Sequence, residues 1–304
     1  MSLQSRRRMR FVGVSTAQSS IMKVFPRWSE LLGLNADLLG LDVPLDATAE
    51  RYRKVVVELR DDPACVGALV TTHKIALYEA ASDLFAGLDD FAVACGEVSS
   101  VSVRDGQLFG AAKDPLTAGL SLQEVLAPDH FSSGAEVLCL GAGGAGTAIG
   151  WYLAQRPDCP HLMRFVDTVP QRLTHLATVV AAPNPAARVE TVLATEENLC
   201  QLLRVLPPSS LVVNATGLGK DRSGSPLPDG AVLPHAAVVW ELNYRGALDF
   251  LHQARAQQVD RDLTVIDGWR YFIHGWTQVV GEVFGVDMTP EVVETLAAAA
   301  EALR

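Results

Sequence analysis

A glycine-rich segment in the middle of the chain constrains the fold more than any other feature. The apolar run Val137–Leu140 is followed by glycines spaced as G-x-G-x-x-G. This pattern is weak on its own, but here it follows a predicted strand and opens a predicted helix. Such glycines permit a tight turn and a close backbone approach to a pyrophosphate, whose charge the helix N-terminus favours. The segment therefore predicts a dinucleotide site with contacts from Gly141, Gly143, Gly144, Ala145 and Gly146.

Composition narrows the class of protein. The 304 residues suggest about two domains, and 49% of them are hydrophobic, which is enough for a sizeable core. The net charge of −10 argues against a nucleic-acid or anionic membrane partner, because clustered Lys and Arg carry phosphate binding. Residues 137–154 are long and apolar enough to span a membrane, but their glycines favour a strand, a turn and a helix.

The cysteines and the N-terminus indicate a compartment. Five scattered cysteines, without a C-x-x-C pair, predict neither a disulfide framework nor a structural metal site, and they fit a reducing cytoplasm. The basic residues 5–10 are not followed by the apolar segment of a secretory signal. They are interpreted as a solvated tail before a first strand.

Predicted strands and helices alternate along the chain. This alternation predicts an α/β fold with mostly parallel sheets and a domain boundary between residues 111 and 120. The predicted strands are 11–14, 36–41, 66–70, 98–104 and 108–111 (a hairpin turning at Asp105-Gly106), 136–140, 164–167, 211–214 and 237–242, and the predicted helices are 22–32, 47–61, 75–85, 115–126, 144–156, 170–180, 268–284 and 290–303.

The strand after the glycine segment ends in a carboxylate. Asp167 stands where dinucleotide-binding folds hydrogen-bond an adenosine ribose diol, and it would repel a 2′-phosphate. The neighbouring Thr168 offers no cation for such a phosphate, so the sequence predicts NAD in preference to NADP. Arg172, in the following helix, is also assigned to the cofactor site.

A second polar turn, Asn214-Ala215-Thr216, follows another apolar strand. Ligands of α/β sheets bind at the carboxyl ends of the strands. Contact with the cofactor near its nicotinamide end and an ordinary turn are both consistent with these residues.

Lys74 and Asp114 are candidates for proton transfer. Lys74 follows an apolar strand, and a lysine at a strand end can exchange a proton with a substrate hydroxyl during hydride transfer. Asp114 could be its partner carboxylate or the N-cap of a helix opened by Pro115. From these residues alone, a solvated lysine and a capping aspartate are the commoner situations.

Motifs along nearly the whole chain, in the same order, resemble those of the shikimate/quinate dehydrogenases. They are Gly13 with the Ser19 region (a serine-bearing substrate loop), residues 67–74 (GALVTTHK for G-x-x-V-T-x-P-x-K, one residue shorter), residues 96–101 (GEVSSV for G-A-V-N-T-h), Lys113-Asp114-Pro115 (for T-D-G), the glycine segment 141–146, Asn214-Ala215-Thr216 (N-A-T/S), residues 241–244 (ELNY for D-x-x-Y) and Asp267-Gly268 (D-G).

The resemblance implies an NAD(P)-dependent dehydrogenase that reversibly oxidises a ring hydroxyl of a shikimate- or quinate-like acid to a ketone. It implies that Lys74 binds the reacting hydroxyl and assists its proton transfer, while Asp114 orients and charges the lysine, without a metal. It also implies an N-terminal α/β substrate domain (1–113), a Rossmann-type doubly wound NAD(P) domain (114–264) and C-terminal helices (265–304) that pack back on the first domain. Expected contacts are Ser19, Ser20, Thr71, Ser99, Tyr244 and Gln278 for substrate, and Gly268 for the cofactor.

The chain departs from the family pattern at several substrate positions. Ile21 replaces the second loop serine, Ser99 a substrate-contacting Asn, and Gly275 a late Gln. Residues 67–74 also lack the usual Pro. A site built to bond particular hydroxyls discriminates strongly, so these changes predict an altered preference in which shikimate need not be the best substrate.

Two other functions stay open at this point. One is the same frame acting on a different hydroxy or amino-ketone substrate, and the other is an NAD-binding regulatory protein without catalysis. His73 and His274 are interpreted mainly as packed residues, and Arg270 as solvated more often than as a carboxylate clamp. A small-molecule hydroxy acid is the expected partner, and a homodimer is a base-rate expectation.

Overall fold

The chain folds into two compact units. The computed structural model describes residues 6–220 and 222–304. The first unit ends at Lys113 and resumes at Ile273, and the second is Asp114–Phe272. The expected return at residue 265 precedes that point, because the following residues up to Phe272 stay with the second unit. The assignment of substrate and cofactor to the two units stays a prediction.

Strands and helices alternate as predicted, and the α/β class is confirmed. The described residues form strands β1 (Arg7–Gly13), β2 (Ala36–Asp42), β3 (Cys65–Val70), β4 (Gly87–Leu88), β5 (Ser100–Arg104), β6 (Gln107–Ala111), β7 (Val137–Leu140), β8 (Met163–Asp167), β9 (Val189–Leu193), β10 (Leu211–Asn214), β11 (Val238–Glu241) and β12 (Thr264–Ile266). The helices are α1 (Ile21–Leu31), α2 (Ala49–Asp61), α3 (Lys74–Ala81), α4 (Asp90–Cys95), α5 (Asp114–Gln123), α6 (Gly144–Ala154), α7 (Pro170–Ala181), α8 (Glu196–Val205), α9 (Asp249–Ala256), α10 (Gln258–Arg261), α11 (Trp269–Phe284) and α12 (Pro290–Glu301).

The sheet of the first unit is mixed, with the strand order β2-β1-β3-β5-β6-β4. β1 runs parallel to β2 and β3, whereas β3–β5 and β5–β6 are antiparallel. The predicted β5–β6 hairpin is confirmed, and Asp105 and Gly106 both take the positive φ angles of its turn, 51° and 72°.

The sheet of the second unit is wholly parallel, with the order β12-β11-β10-β7-β8-β9. Leu211 and Val213 pack into one apolar cluster and Val212 into another, so both faces are covered. The order reverses between β7 and β10, and such a switch point forms a crevice at the carboxyl ends of the strands. The predicted strand, glycine turn and helix are confirmed there as β7 and α6. No helix among the described residues has the length and apolar character to cross a membrane.

The predicted solvated N-terminal tail is wrong for the residues from Arg7 onward, because β1 begins there. The Arg7 guanidinium donates to the carbonyl of Leu34 at 2.6 Å and lies 5.0 Å from the ring centroid of Phe284. Arg8 pairs with Asp62 at 2.9 Å. Arg7 and Arg8 both find partners beside the sheet, so this basic segment can form a strand.

The C-terminal helices pack on the first unit, as the resemblance implied. α12 lies against α1, where the buried Trp28 donates from Nε1 to the carbonyl of Leu296 at 2.8 Å. On α11, the ring of Trp276 meets Phe11 of β1 edge-on, with centroids 4.9 Å apart. The last helices therefore complete the core of the sheet that begins the chain.

We expect Trp28→Phe to lower the free energy of unfolding by about 1–3 kcal/mol, because the change removes this hydrogen bond and leaves unfilled volume. Urea unfolding measures the change. The control Leu45→Ala alters a side chain that is 70% exposed and should stay within about 0.5 kcal/mol of the wild type. Equal stability of Trp28→Phe and the wild type would contradict this account of α12.

Candidate active site

Two glycines make the turn after β7 possible. Gly141 has a φ of +109°, and a Cβ there would lie 2.8 Å from the carbonyl oxygen of Ala215. A Cβ on Gly146 would overlap the carbonyl oxygen of Gly141. At Gly143 a Cβ would meet nothing within 4 Å, so the turn is open where α6 begins. This arrangement fits a pyrophosphate at a helix N-terminus, with Gly144 and Ala145 in the first helical turn.

Asp167 fastens this turn to the neighbouring strand. Its Oδ2 accepts from the amide of Ala142 at 2.8 Å, and its Oδ1 accepts from the amide of Val169 at 2.9 Å. A guanidinium nitrogen of Arg172 lies 4.0 Å from Oδ2. The sequence analysis assigned Arg172 to the cofactor site but did not foresee its approach to Asp167. Arg172 can reach this carboxylate because it lies one helical turn after Thr168.

A buried polar network holds the turn after β10. Asn214 donates from Nδ2 to Glu241 Oε2 at 2.7 Å, and its Oδ1 accepts from the amide and the hydroxyl of Thr216 at 3.0 and 2.7 Å. Asn243 donates from Nδ2 to the carbonyls of Thr216 and Leu218 at 3.1 and 3.0 Å. The side chain of Asn214 thus fixes the turn from within. Ala215 continues the network through its amide, which donates to the carbonyl of Leu140 at 2.8 Å.

Glu241 lies at the centre of this network, fully buried, and its Oε1 accepts from the amide of Asn243 at 2.7 Å. Burial raises its pKa to about 7, against the opposing hydrogen bonds from Asn243 and Asn214. The amide of Gly268 donates to the carbonyl of Asn243, and a Cβ on Gly268 would overlap the carbonyl of Leu242. The sequence analysis gave Glu241 no role, although a glutamate at the end of an apolar strand could have indicated a buried polar contact.

In the first unit, the residues predicted around Lys74 lie at one edge of the sheet. β1 and β3 are parallel, with Val12 opposite Val70, so the segments that follow both strands emerge together. The amide of Thr71 donates to the carbonyl of Val12 at 3.0 Å. Lys74 begins α3, and its carbonyl accepts from the amide of Val98 at 3.2 Å. The chain thereby brings Thr71, Lys74 and the start of β5 together.

Ser99 lies at the same edge, and the structure gives its hydroxyl backbone partners. The hydroxyl accepts from the amide of Lys113 at 2.7 Å and points at the carbonyl of Ala111 at 3.5 Å. Asp114, the residue after Lys113, is buried and begins α5 itself, although Pro115 was predicted to open that helix.

The loop after β1 carries the two predicted substrate serines. Ser19 is buried, and Ser20 takes the N-cap position of α1 without a capping bond from its side chain. Asp42 at the end of β2 holds the loop, because its Oδ1 accepts from the amide and the hydroxyl of Thr16 at 2.9 and 2.6 Å.

The other predicted substrate residues are on later elements. Gln278 is half-buried on α11 in the first unit. Tyr244, in the second unit, packs in an aromatic cluster, with its ring centroid 4.4 Å from that of Phe272 and 5.8 Å from that of Trp269.

His73 is a core residue despite its position beside Lys74. It is 2% exposed, and its Nδ1 lies 2.8 Å from the hydroxyl of Tyr52. Burial lowers its pKa, with the nearby carbonyls of Val43 and Gly13 opposing the shift, which favours the neutral ring.

Two further side chains considered in the sequence analysis, His274 and Arg270, lie on α11. His274 is buried, as expected. The Nε of Arg270 donates to Glu124 at 2.8 Å. Arg270 is therefore not simply solvated, and a role as a carboxylate clamp stays a prediction. Its partner lies on the segment after α5, too far along the sequence for local reasoning to pair the two.

Comparison with known proteins identifies the family. A shikimate dehydrogenase (NADP(+)) from Xanthomonas euvesicatoria pv. vesicatoria (strain 85-10) is 31% identical over 249 residues, covering 81% of this chain and 80% of that protein. The chain belongs to the shikimate dehydrogenase family. It is an oxidoreductase of this NAD(P)-dependent type, and its substrate is a small molecule. No protein-family model matches it.

Solved structures agree with this assignment. Shikimate 5-dehydrogenase from Thermus thermophilus, in complex with NADP(H) and shikimate, is 25% identical with a TM-score of 0.72, and the match covers 97% of this chain and 99% of that one. Quinate dehydrogenase from Corynebacterium glutamicum, in complex with NAD, matches with a TM-score of 0.73 over 97% of this chain and 99% of that one. At 18% identity, the second match shows the fold alone.

Glu241 predicts a pH dependence of stability. The folded state holds the proton of this carboxyl up to about pH 7, whereas the unfolded chain releases it near 4.5. The contribution of Glu241 to the free energy of unfolding is therefore largest below pH 4.5. It is lost as the pH rises from 4.5 to 7, and above pH 7 it no longer changes with pH. The loss amounts to about 3 kcal/mol.

Urea unfolding of Glu241→Gln across this pH range should give a flatter profile than the wild type, because the amide does not titrate. The exposed Glu196→Gln is the matched control and should keep the wild-type slope. Identical profiles for Glu241→Gln and the wild type would mean that Glu241 is ionised throughout.

Proposed function

We propose that the chain catalyses the reversible oxidation of a ring hydroxyl to a ketone in a shikimate- or quinate-like hydroxy acid. The observation that carries the proposal is the position of Lys74, the first residue of α3, at the sheet edge that also bears Thr71 and Ser99. The nicotinamide cofactor supplies the hydride acceptor when bound at the glycine turn.

The proposed chemistry of the protein is proton transfer and orientation. Lys74 binds the reacting hydroxyl and takes part in moving its proton, and Asp114 orients the lysine and keeps it charged. Both roles rest on the family motif. Substrate contacts are proposed for Ser19, Ser20, Thr71, Ser99, Tyr244 and Gln278.

The substrate of this chain is proposed to differ from shikimate in its hydroxyl pattern. The relatives' Asn position is Ser99, a shorter side chain whose hydroxyl already serves the amide of Lys113. A hydroxyl of the substrate that an Asn would bond loses that partner here, and an unpaired polar group in a closed site is costly. A ring acid that lacks this hydroxyl, or carries a different substituent in its place, therefore fits better.

NAD is proposed as the preferred cofactor. The Asp167 carboxylate would repel a 2′-phosphate, and the neighbouring Arg172 stands 4.0 Å from that carboxylate and is partly neutralised by it. The xanthomonad relative is named for NADP(+), whereas the corynebacterial structure contains NAD, so the relatives use both. A cytoplasmic location is proposed because all five cysteines are free thiols.

Lys74→Ala should lower kcat by about 10²–10⁴-fold, because it removes the group that binds the reacting hydroxyl and moves its proton. The dissociation constant for NAD should stay unchanged. Steady-state assays with shikimate and quinate, together with a cofactor titration, measure both. Lys54→Ala, which alters a lysine with a 69% exposed side chain, is the control. Unchanged turnover in Lys74→Ala would reject the role given to Lys74, whereas a chain that binds NAD and turns over neither acid would be a sensor.

Asp167→Asn should raise kcat/KM for NADP relative to NAD by about tenfold, because the charge that repels the 2′-phosphate is removed. Asn keeps one of the two oxygens that accept from the amides of Ala142 and Val169, so part of the support of the turn remains. Arg172→Ala in the same background should reverse the gain if the arginine then binds the phosphate. An unchanged cofactor ratio in Asp167→Asn would reject the role given to Asp167.

A further inference from the structure

The backbone just before Asp114 is held at two successive amides. The amide of Ala112 donates to Asp89 Oδ1 at 3.1 Å, and the amide of Lys113 donates to the hydroxyl of Ser99 at 2.7 Å. Asp89 is itself fixed, because the same oxygen caps α4 through the amide of Ala92 at 2.7 Å. These hydrogen bonds therefore fix the backbone of Ala112 and Lys113, where the first segment of the first unit ends.

The side chain of Lys113 adds a second restraint. Its Nζ lies 3.0 Å from Glu282 Oε2 and 3.8 Å from Asp89 Oδ2, and only 16% of the side chain is exposed. Glu282, on α11, accepts with its other oxygen from Arg104 at 2.7 Å. The ammonium group of Lys113 thus lies between the carboxylates of Glu282 and Asp89. It links the segment after β6 to the start of α4 and to α11.

The electrostatics favour the charged form of this cluster. Burial opposes ionisation of Glu282, but the hydrogen bonds and charges of Lys113 and Arg104 outweigh it and keep the pKa of the carboxyl below its ordinary value. The ion pair is therefore present at neutral pH. The family motif has Thr at this position, and its uncharged side chain could not form this ion pair.

We propose that Lys113 is a positioning residue that fixes Asp114 through the contacts of Lys113 with Ser99, Glu282 and Asp89. The inference rests on the proposed catalytic role of Asp114. Asp114 directly follows Lys113. Because the amides of Ala112 and Lys113 and the ammonium group of Lys113 are all held, the Cα of Asp114 has little freedom to move. Misplacement of a reacting group by about 1 Å can cost about a hundredfold in rate, so this restraint bears directly on turnover.

A double-mutant cycle on the full chain tests the inference. Turnover of shikimate and of quinate with NAD and NADP is measured for the wild type, Lys113→Met, Asp114→Asn and the double variant. Lys113→Met should lower kcat about tenfold in the wild-type background but less than about twofold beside Asp114→Asn. The Kd for cofactor should not change. Lys113→Arg should recover most of the loss, because it keeps a cation for Glu282.

The outcomes separate two failures. Equal losses in both backgrounds, or no loss in either, would overturn the positioning role and leave the proposed function standing. Full turnover by Asp114→Asn would overturn the role of Asp114 in the proposed function, and the inference with it.

A second measurement does not depend on turnover. Amide hydrogen exchange in peptides covering residues 110–116 should be at least about tenfold faster in Lys113→Met and in Glu282→Gln than in the wild type. The control Lys54→Met removes a different ion pair, 4.0 Å from Glu58 on α2, and should leave this exchange unchanged. Wild-type exchange in Lys113→Met would also overturn the inference.

Discussion

The turns after β7 and β10 approach so closely that no side chain fits between them, and the architecture of the second unit follows from this contact. Gly141 has no side chain because the backbone of Ala215 occupies the place of its Cβ. The approach is possible because β7 and β10 are adjacent parallel strands, so both turns leave the same edge at the point where strand order reverses. The turn stays open at Gly143, where α6 begins, and a helix N-terminus of this kind favours a pyrophosphate.

Both units stabilise their strand-end segments in the same way, with side-chain oxygens that accept from backbone amides. Asp167 holds Ala142 in the glycine turn, and Asp42 holds Thr16 in the serine loop. Glu241 does the same for Asn243 from a fully buried position, and its raised pKa reflects the cost of burying that carboxyl. Side-chain hydrogen bonds to backbone amides thus hold the strand-end loops of both units.

The chain is an oxidoreductase of the shikimate dehydrogenase family, and it departs from the family motif at Ser99 and Lys113. The motif positions of Lys74 and Asp114 keep the residues of the family, whereas Ser99 and Lys113 do not, and these two departures are hydrogen-bonded to each other. The hydroxyl of Ser99 and the carboxylate of Glu282 therefore hold the same residue, Lys113, one through its amide and the other through its side chain.

The sequence by itself determined the alternation of strands and helices, the glycine turn and the β5–β6 hairpin, because periodicity and turn chemistry are local properties. It missed the strands β4, β9 and β12 and the helices α4, α8, α9 and α10. For α8 a signal was present, because Thr195 caps this helix by accepting from the amide of Asn198. Only the tertiary structure decided that Arg7 lies in a strand, that His73 meets the hydroxyl of Tyr52, and that Asn214 bonds Glu241. Those outcomes depend on partners distant in sequence, and a buried polar group is satisfied only where the fold brings such a partner within about 3 Å.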